Sequence, residues 1–253
     1  MPQYLLRRAA RLAAGATALA MAALGTGATP AGAVTSCTVN GTPASGPLIN
    51  GTSGPDVIVC AAGVEAGTVV DGLGGDDRFT LKGAVNGTVR GSAGADTITV
   101  DDGGSVGGSG TLEGQTEEDT FDLHGPLAGK IRAGQGNDRI HLFSGSGVTA
   151  GGGDIRGALG DDTIIADQNA LVAGLIQGSE GKDTVTVDRV EPGGQVQGND
   201  DNDTLTVADN AGTVSGGNGD DEIHVRENTG TVDGGEGTDS CDVVGTPPTG
   251  CES

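Results

Sequence analysis

The sequence predicts an all-β fold: a parallel β-roll, or β-solenoid, of about ten coils with a period of about 20 residues. Two observations carry that expectation. First, the pattern apolar-x-Gly-x-x-Gly-x-Asp-x-apolar-x-apolar recurs between residues 49 and 243, anchored on Asp56, Asp77, Asp96, Asp119, Asp138, Asp162, Asp183, Asp203, Asp221 and Asp239. The spacings run from 18 to 24 residues, too short for two packed helices and suited to one solenoid coil. Second, the apolar positions alternate. Two residues after each Asp stand Ile58, Phe79, Ile98, Phe121, Ile140, Ile164, Val185, Leu205, Ile223 and Cys241, and the position two further on is again apolar or Cys in every copy. Alternation with many β-branched residues marks a strand with one buried face. Each coil is therefore expected to hold two short strands, stacked about 4.8 Å from those of the next coil.

Residues 1–33 read as an export signal. Arg7, Arg8 and Arg11 form a positive leader, Leu12 to Leu24 a short apolar run, and Ala31-Gly32-Ala33 an A-x-A cleavage site. That run is too short for a permanent membrane span. The Arg7-Arg8 pair leaves twin-arginine export open beside general secretion. The mature chain, 34–253, is expected to be a single solenoid domain, with an array at about 49–243 and end caps at 34–48 and 244–253.

Four cysteines in an exported chain suggest disulfides. The pairs nearest in sequence, Cys37–Cys60 and Cys241–Cys251, would bracket the array where end coils lack a neighbour. A rival reading takes Val34-Thr35-Ser36-Cys37 as a lipobox with Cys37 acylated.

Charge excludes some functions. All 35 acidic residues lie beyond residue 33, together with all but three of the 13 basic ones. Such an acidic chain repels nucleic acid and anionic membrane surfaces. With no Trp, and only Phe79, Phe121 and Phe143 as aromatics of the mature chain, a conventional globular core is hard to build.

The chemistry is expected along the aspartate edge. Carboxylates stacked about 5 Å apart repel by roughly 0.8 kcal/mol per pair in water and by about 3 kcal/mol at an effective dielectric of 20. A cation, protonation or hydrogen bonding must offset this. Calcium takes six to eight oxygens in flexible geometry, and a Gly-rich turn offers carbonyls beside its carboxylate. The alternative is an aspartate that only accepts N–H bonds of its own turn.

Three segments come close to a known motif: Gly216-Gly217-Asn218-Gly219-Asp220-Asp221-Glu222-Ile223, Gly234-Gly235-Glu236-Gly237-Thr238-Asp239-Ser240-Cys241 and Ala133-Gly134-Gln135-Gly136-Asn137-Asp138-Arg139-Ile140. They resemble the haemolysin-type calcium-binding repeat of the repeats-in-toxin family, G-G-x-G-x-D-x-U-x. The resemblance implies a β-roll binding several calcium ions between successive turns, with the ten aspartates as ligands. This chain departs from the pattern where Thr52, Leu73, Ser92, Gln115, Ala158, Ser179 and Asn199 replace the second glycine, and where Glu117 and Asp201 replace a later one. Only every second turn carries the motif.

The expected function is thus a secreted calcium-binding β-roll whose folding is coupled to the metal. A metal-independent structural or adhesive rod at the cell surface is the alternative, and no extracellular partner is named by the residues. An enzyme is not expected. Gly103-Gly104-Ser105-Val106-Gly107 matches G-x-S-x-G without the strand–turn–helix that chemistry needs. No long loops frame a cleft, and a threonine ladder of the ice-binding kind is interrupted by Arg78, Asp122, Arg139, Glu222 and His224. His141 and His224 share an outward phase four coils apart and are expected on the surface.

Overall fold

The computed structural model describes residues 34–252, so the expected export signal lies outside the described residues. All regular structure in them is β. Two parallel sheets run the length of a solenoid of ten coils, in agreement with the sequence pattern.

One sheet holds the ten strands that enter the Gly-rich turns, from Leu48–Asn50 and Val69–Gly74 to Thr231–Glu236. The other holds the strands that leave the aspartates, from Val57–Cys60 and Arg78–Leu81 to Glu222–Asn228 and Ser240–Gly245. Register repeats from coil to coil without slippage at the motif. Val70, Val89, Leu112, Ile131 and Ile155 stack in the entry sheet, and Phe79, Ile98, Phe121, Ile140 and Ile164 in the exit sheet. These columns are buried and fill the interior, while the intervening residues face outward. At a period of two, a register slip by one would turn every apolar side chain into water, which locks the alignment.

The two-strand coil needs a correction. A third buried column, Val64, Val85, Val106, Leu127, Val148, Val172 and Val190, lines the side with no shared turn motif. In the early coils it sits on separate short strands, Ala84–Val85, Ser105–Val106, Pro126–Leu127 and Gly147–Val148. From Thr163–Val172 onward the exit strand extends to include it. Variable loops before this column hide its period in the sequence. The column ends in two buried asparagines, Asn210 and Asn228.

Both expected disulfides are present, Cys37–Cys60 and Cys241–Cys251, and no cysteine is free among the described residues. The sulfur of Cys37 is thereby committed to Cys60 rather than to an acyl group. Two disulfides fit an oxidising compartment. At the start of the array, an antiparallel hairpin, Ser36–Val39 with Thr42–Ser45, lies along Val57–Cys60.

Candidate functional site

The ten aspartates form one unbroken column, with each residue only 1–3% exposed. The sequence placed them in register at one edge; the structure draws them inside their turns. Every backbone N–H in the column but that of Asp239 donates to Oδ1 of the aspartate in the following coil. The nine rungs run from Asp56 to Asp239 at 2.7–2.9 Å. The inter-coil bond, rather than a bond within the turn, holds the carboxylate.

The second oxygen is different. Oδ2 of Asp77, Asp96, Asp119, Asp138, Asp162, Asp183, Asp203, Asp221 and Asp239 is buried with no hydrogen-bond partner. Only in the first coil does Oδ2 gain a donor, the N–H of Thr52 to Asp56. In most coils Oδ2 lies over the Cα of the glycine five residues earlier, where a β-carbon would collide with it. The carbonyl oxygen of the next coil faces the same spot, as Gly91 O does beside Gly72 and Gly216 O beside Gly198. A bare carboxylate oxygen thus sits near a carbonyl oxygen with no donor assigned between them.

This geometry corrects the reason for the first glycine. Glycines that bracket a turn ordinarily serve positive φ. The first one does not have it; it is small because the aspartate needs the space. Positive φ belongs to the next residue and to the second glycine. There the chain tolerates side chains: Leu73, Ser92, Gln115, Ala158, Ser179 and Asn199, with Glu117 and Asp201 at the later position, all have φ between 75° and 106°. These are the departures from the repeat motif noted above, apart from Thr52 in the first coil, whose φ is not positive.

Burial raises the pKa values of eight aspartates of the column. Loss of solvation is the largest cause, opposed by the N–H bond from the neighbouring rung and reinforced by nearby carboxylates. Asp77, Asp138 and Asp221 are pushed up to about 6. Asp96 and Asp183 reach about 7, and Asp119, Asp162 and Asp203 about 8. Much of the column therefore titrates near neutrality.

A second, exposed column was not legible in the repeat. The residue just before the aspartate varies, yet Asp76, Asn137, Asp161, Asn202 and Asp220 each accept the N–H of the equivalent residue one coil later, at 2.9–3.1 Å. Its bonds run opposite in direction to those of the inner column. Enrichment in Asp and Asn at this one phase was the available clue. Among the described residues, no three His, Cys, Asp or Glu side chains converge as a metal-binding group.

The histidines are also corrected in part. His224 is exposed and lies 3.0 Å from Glu222. His141 is largely covered, and Phe143, outside the core, packs tilted against it with centroids 3.9 Å apart and stacks on His124 at 4.1 Å. His141 Nε2 is 3.0 Å from Asp167 Oδ1 but outside hydrogen-bonding alignment. No family model, curated protein or solved structure matches this chain.

Proposed function

We propose that this chain is an exported calcium-binding solenoid of the haemolysin-repeat type, in which the aspartate column is neutralised by calcium outside the cell. The observation that supports it is the set of nine buried Oδ2 atoms without a donor. Buried polar atoms without partners are rare and call for a proton, an ion or a water. Carboxylate and main-chain carbonyl oxygens are the hard donors calcium takes. One carboxylate per coil reaches this interior, so most of the six to eight oxygens would come from the backbone and from the exposed Asp and Asn column.

A specific feature favours a second reading, a metal-independent rod. Oδ1 is already held by the neighbouring coil, and protonation of Oδ2 would remove the buried charge without an ion. In that state the column needs no metal.

Far-UV circular dichroism and thermal melts of the mature chain separate the two. The proteins are compared in chelator and in calcium, with magnesium as control, at about pH 5 and pH 8. A calcium-specific gain of β-structure or of Tm at pH 8 supports the proposal. Identical folding and Tm in chelator and calcium at pH 8 would falsify it and leave the metal-independent rod.

A further inference from the structure

At both ends of the aspartate column, a side chain supplies the hydrogen bonds of a coil that is missing. Within the array, Oδ1 of each aspartate accepts an N–H from the coil before it. The carbonyl of each aspartate accepts the N–H of the residue after the next one, as Asp56 O does from Arg78 at 2.9 Å. Asp56 and Val57 have no coil before them in the array. The side-chain amide of Asn40 serves both. Its Nδ2 donates to Asp56 Oδ1, and its Oδ1 accepts the N–H of Val57 at 2.9 Å. One carboxamide reproduces the donor and the acceptor that a preceding coil would offer. Asn40 is held there at the turn of the N-terminal hairpin, with φ 50°, beside the Cys37–Cys60 bridge.

At the other end, Asp239 has no eleventh aspartate to receive its N–H. Glu252 Oε2 accepts it at 2.7 Å, and the Glu252 N–H returns to Asp239 O at 2.9 Å. Ser240 bonds to Asp221 O in the same way, so Glu252 occupies the place of a residue in the next coil. The tail before it is a shortened turn. Thr249 pairs with Asp233 along the entry sheet, Gly234 N–H donates to Thr249 O, and Cys251 is bonded to Cys241. The tail thus crosses the end of the last coil.

We propose that Asn40 and Glu252 are end stops. They complete the terminal rungs of the column and keep the coil ends from accepting a second copy of this chain. An unstopped coil end presents unpaired N–H and C=O groups, a template for pairing with another strand. The hairpin, which covers the first exit strand, stays in place, so removing the tail enlarges the unpaired surface at the last end only, where the outer edge of Ser240–Gly245 is already open. Such a surface pairs with itself about a two-fold axis and closes as a dimer rather than growing into a filament.

The test uses the full mature chain. Light scattering after size exclusion, over a wide concentration range, should give a monomer for the native chain and a dimer for the Cys241→Ser/Cys251→Ser/Glu252→Ala variant. A triple variant that remains folded by circular dichroism and monomeric throughout overturns the proposal. So does a native chain that is itself dimeric, or a variant that forms filaments. Should the triple variant not fold, hydrogen exchange on the single variants decides. Glu252→Ala should speed exchange of the Asp239 amide roughly tenfold or more, the loss of one bond to a charged acceptor. Glu252→Gln keeps an acceptor oxygen and should leave that amide protected. Equal exchange in all three proteins removes Glu252 as a stop.

Discussion

Oδ2 of Asp183 occupies the space that a β-carbon on Gly178 would need, five residues earlier in the same coil. The glycine is therefore required by a neighbour's side chain and not by its own backbone. Gly178→Ala should destabilise the protein by about 1–3 kcal/mol, the range for overpacking a filled interior. Coil five is the natural reference, because Ala133 already stands at this position and its Asp138 stays buried. Ala133→Gly should cost about 1 kcal/mol or less. Urea denaturation of both variants checks the contrast; equal losses would mean that the close approach at Gly178 relaxes freely.

The column also sets a pH dependence. An unfolded aspartate titrates near pH 3.9, whereas eight of the column's carboxyls lie between about 6 and about 8 in the folded chain. From roughly pH 4 to 8 the native state holds more protons than the unfolded one, so stability falls as pH rises across that window. The contribution is complete below about pH 4 and lost above about pH 8. Thermal melts in chelator should show Tm descending through this range. On the calcium proposal the metal takes the ionised form, so a stabilising effect of calcium should grow over the same range. A Tm that is flat or rises between pH 4 and 8 in chelator would contradict a proton-holding column.

A single rung can be discharged without being broken. Asp183→Asn keeps an oxygen to accept the Asp162 N–H, while removing a buried negative charge from between Asp162 and Asp203. At pH 8 in chelator its Tm should equal or exceed that of the native chain, and its response to calcium should shrink. Asp183→Ala leaves the Asp162 N–H buried without an acceptor, at a cost of about 1–3 kcal/mol. If both variants lose the same stability at pH 8, charge is not what strains the column.

On the other side of the coil, Asn228 joins three groups. Its Oδ1 accepts from Asn210 Nδ2 and from the Gly230 N–H, and its Nδ2 donates to Thr246 O. Asn228→Ala removes all three and should destabilise the last coil by about 1–3 kcal/mol or more. Hydrogen exchange should show the loss concentrated at residues 228–246, with the first coils unaffected, because a solenoid's contacts are between neighbours. Uniform loss of protection along the chain would indicate a fully cooperative unit instead.

The repeat made the architecture legible: a fixed Asp and alternating apolar residues place the entry and exit sheets, and the two terminal cysteine pairs follow from where end coils need support. What escaped had no period to announce it. The column from Val64 to Val190 follows loops of varying length, so its members fall out of phase when aligned on the aspartates. Asn40 and Glu252 lie outside the array and act once each. The depth of the aspartates was hidden for another reason. A carboxylate in a Gly-rich turn suggests a surface ligand, and only the folded structure shows Oδ1 turned toward the adjacent coil and Oδ2 folded over glycine.

Because each coil repeats the register of the last and bonds only to its neighbours, coil number is separable from coil chemistry. A whole repeat gained or lost between the two ends would change the reach of the molecule by about 4.8 Å, while leaving every remaining rung and both termini intact. In that sense the chain is a ruler with fixed end pieces, whose graduations can be added or removed by duplication without redesign of the rest.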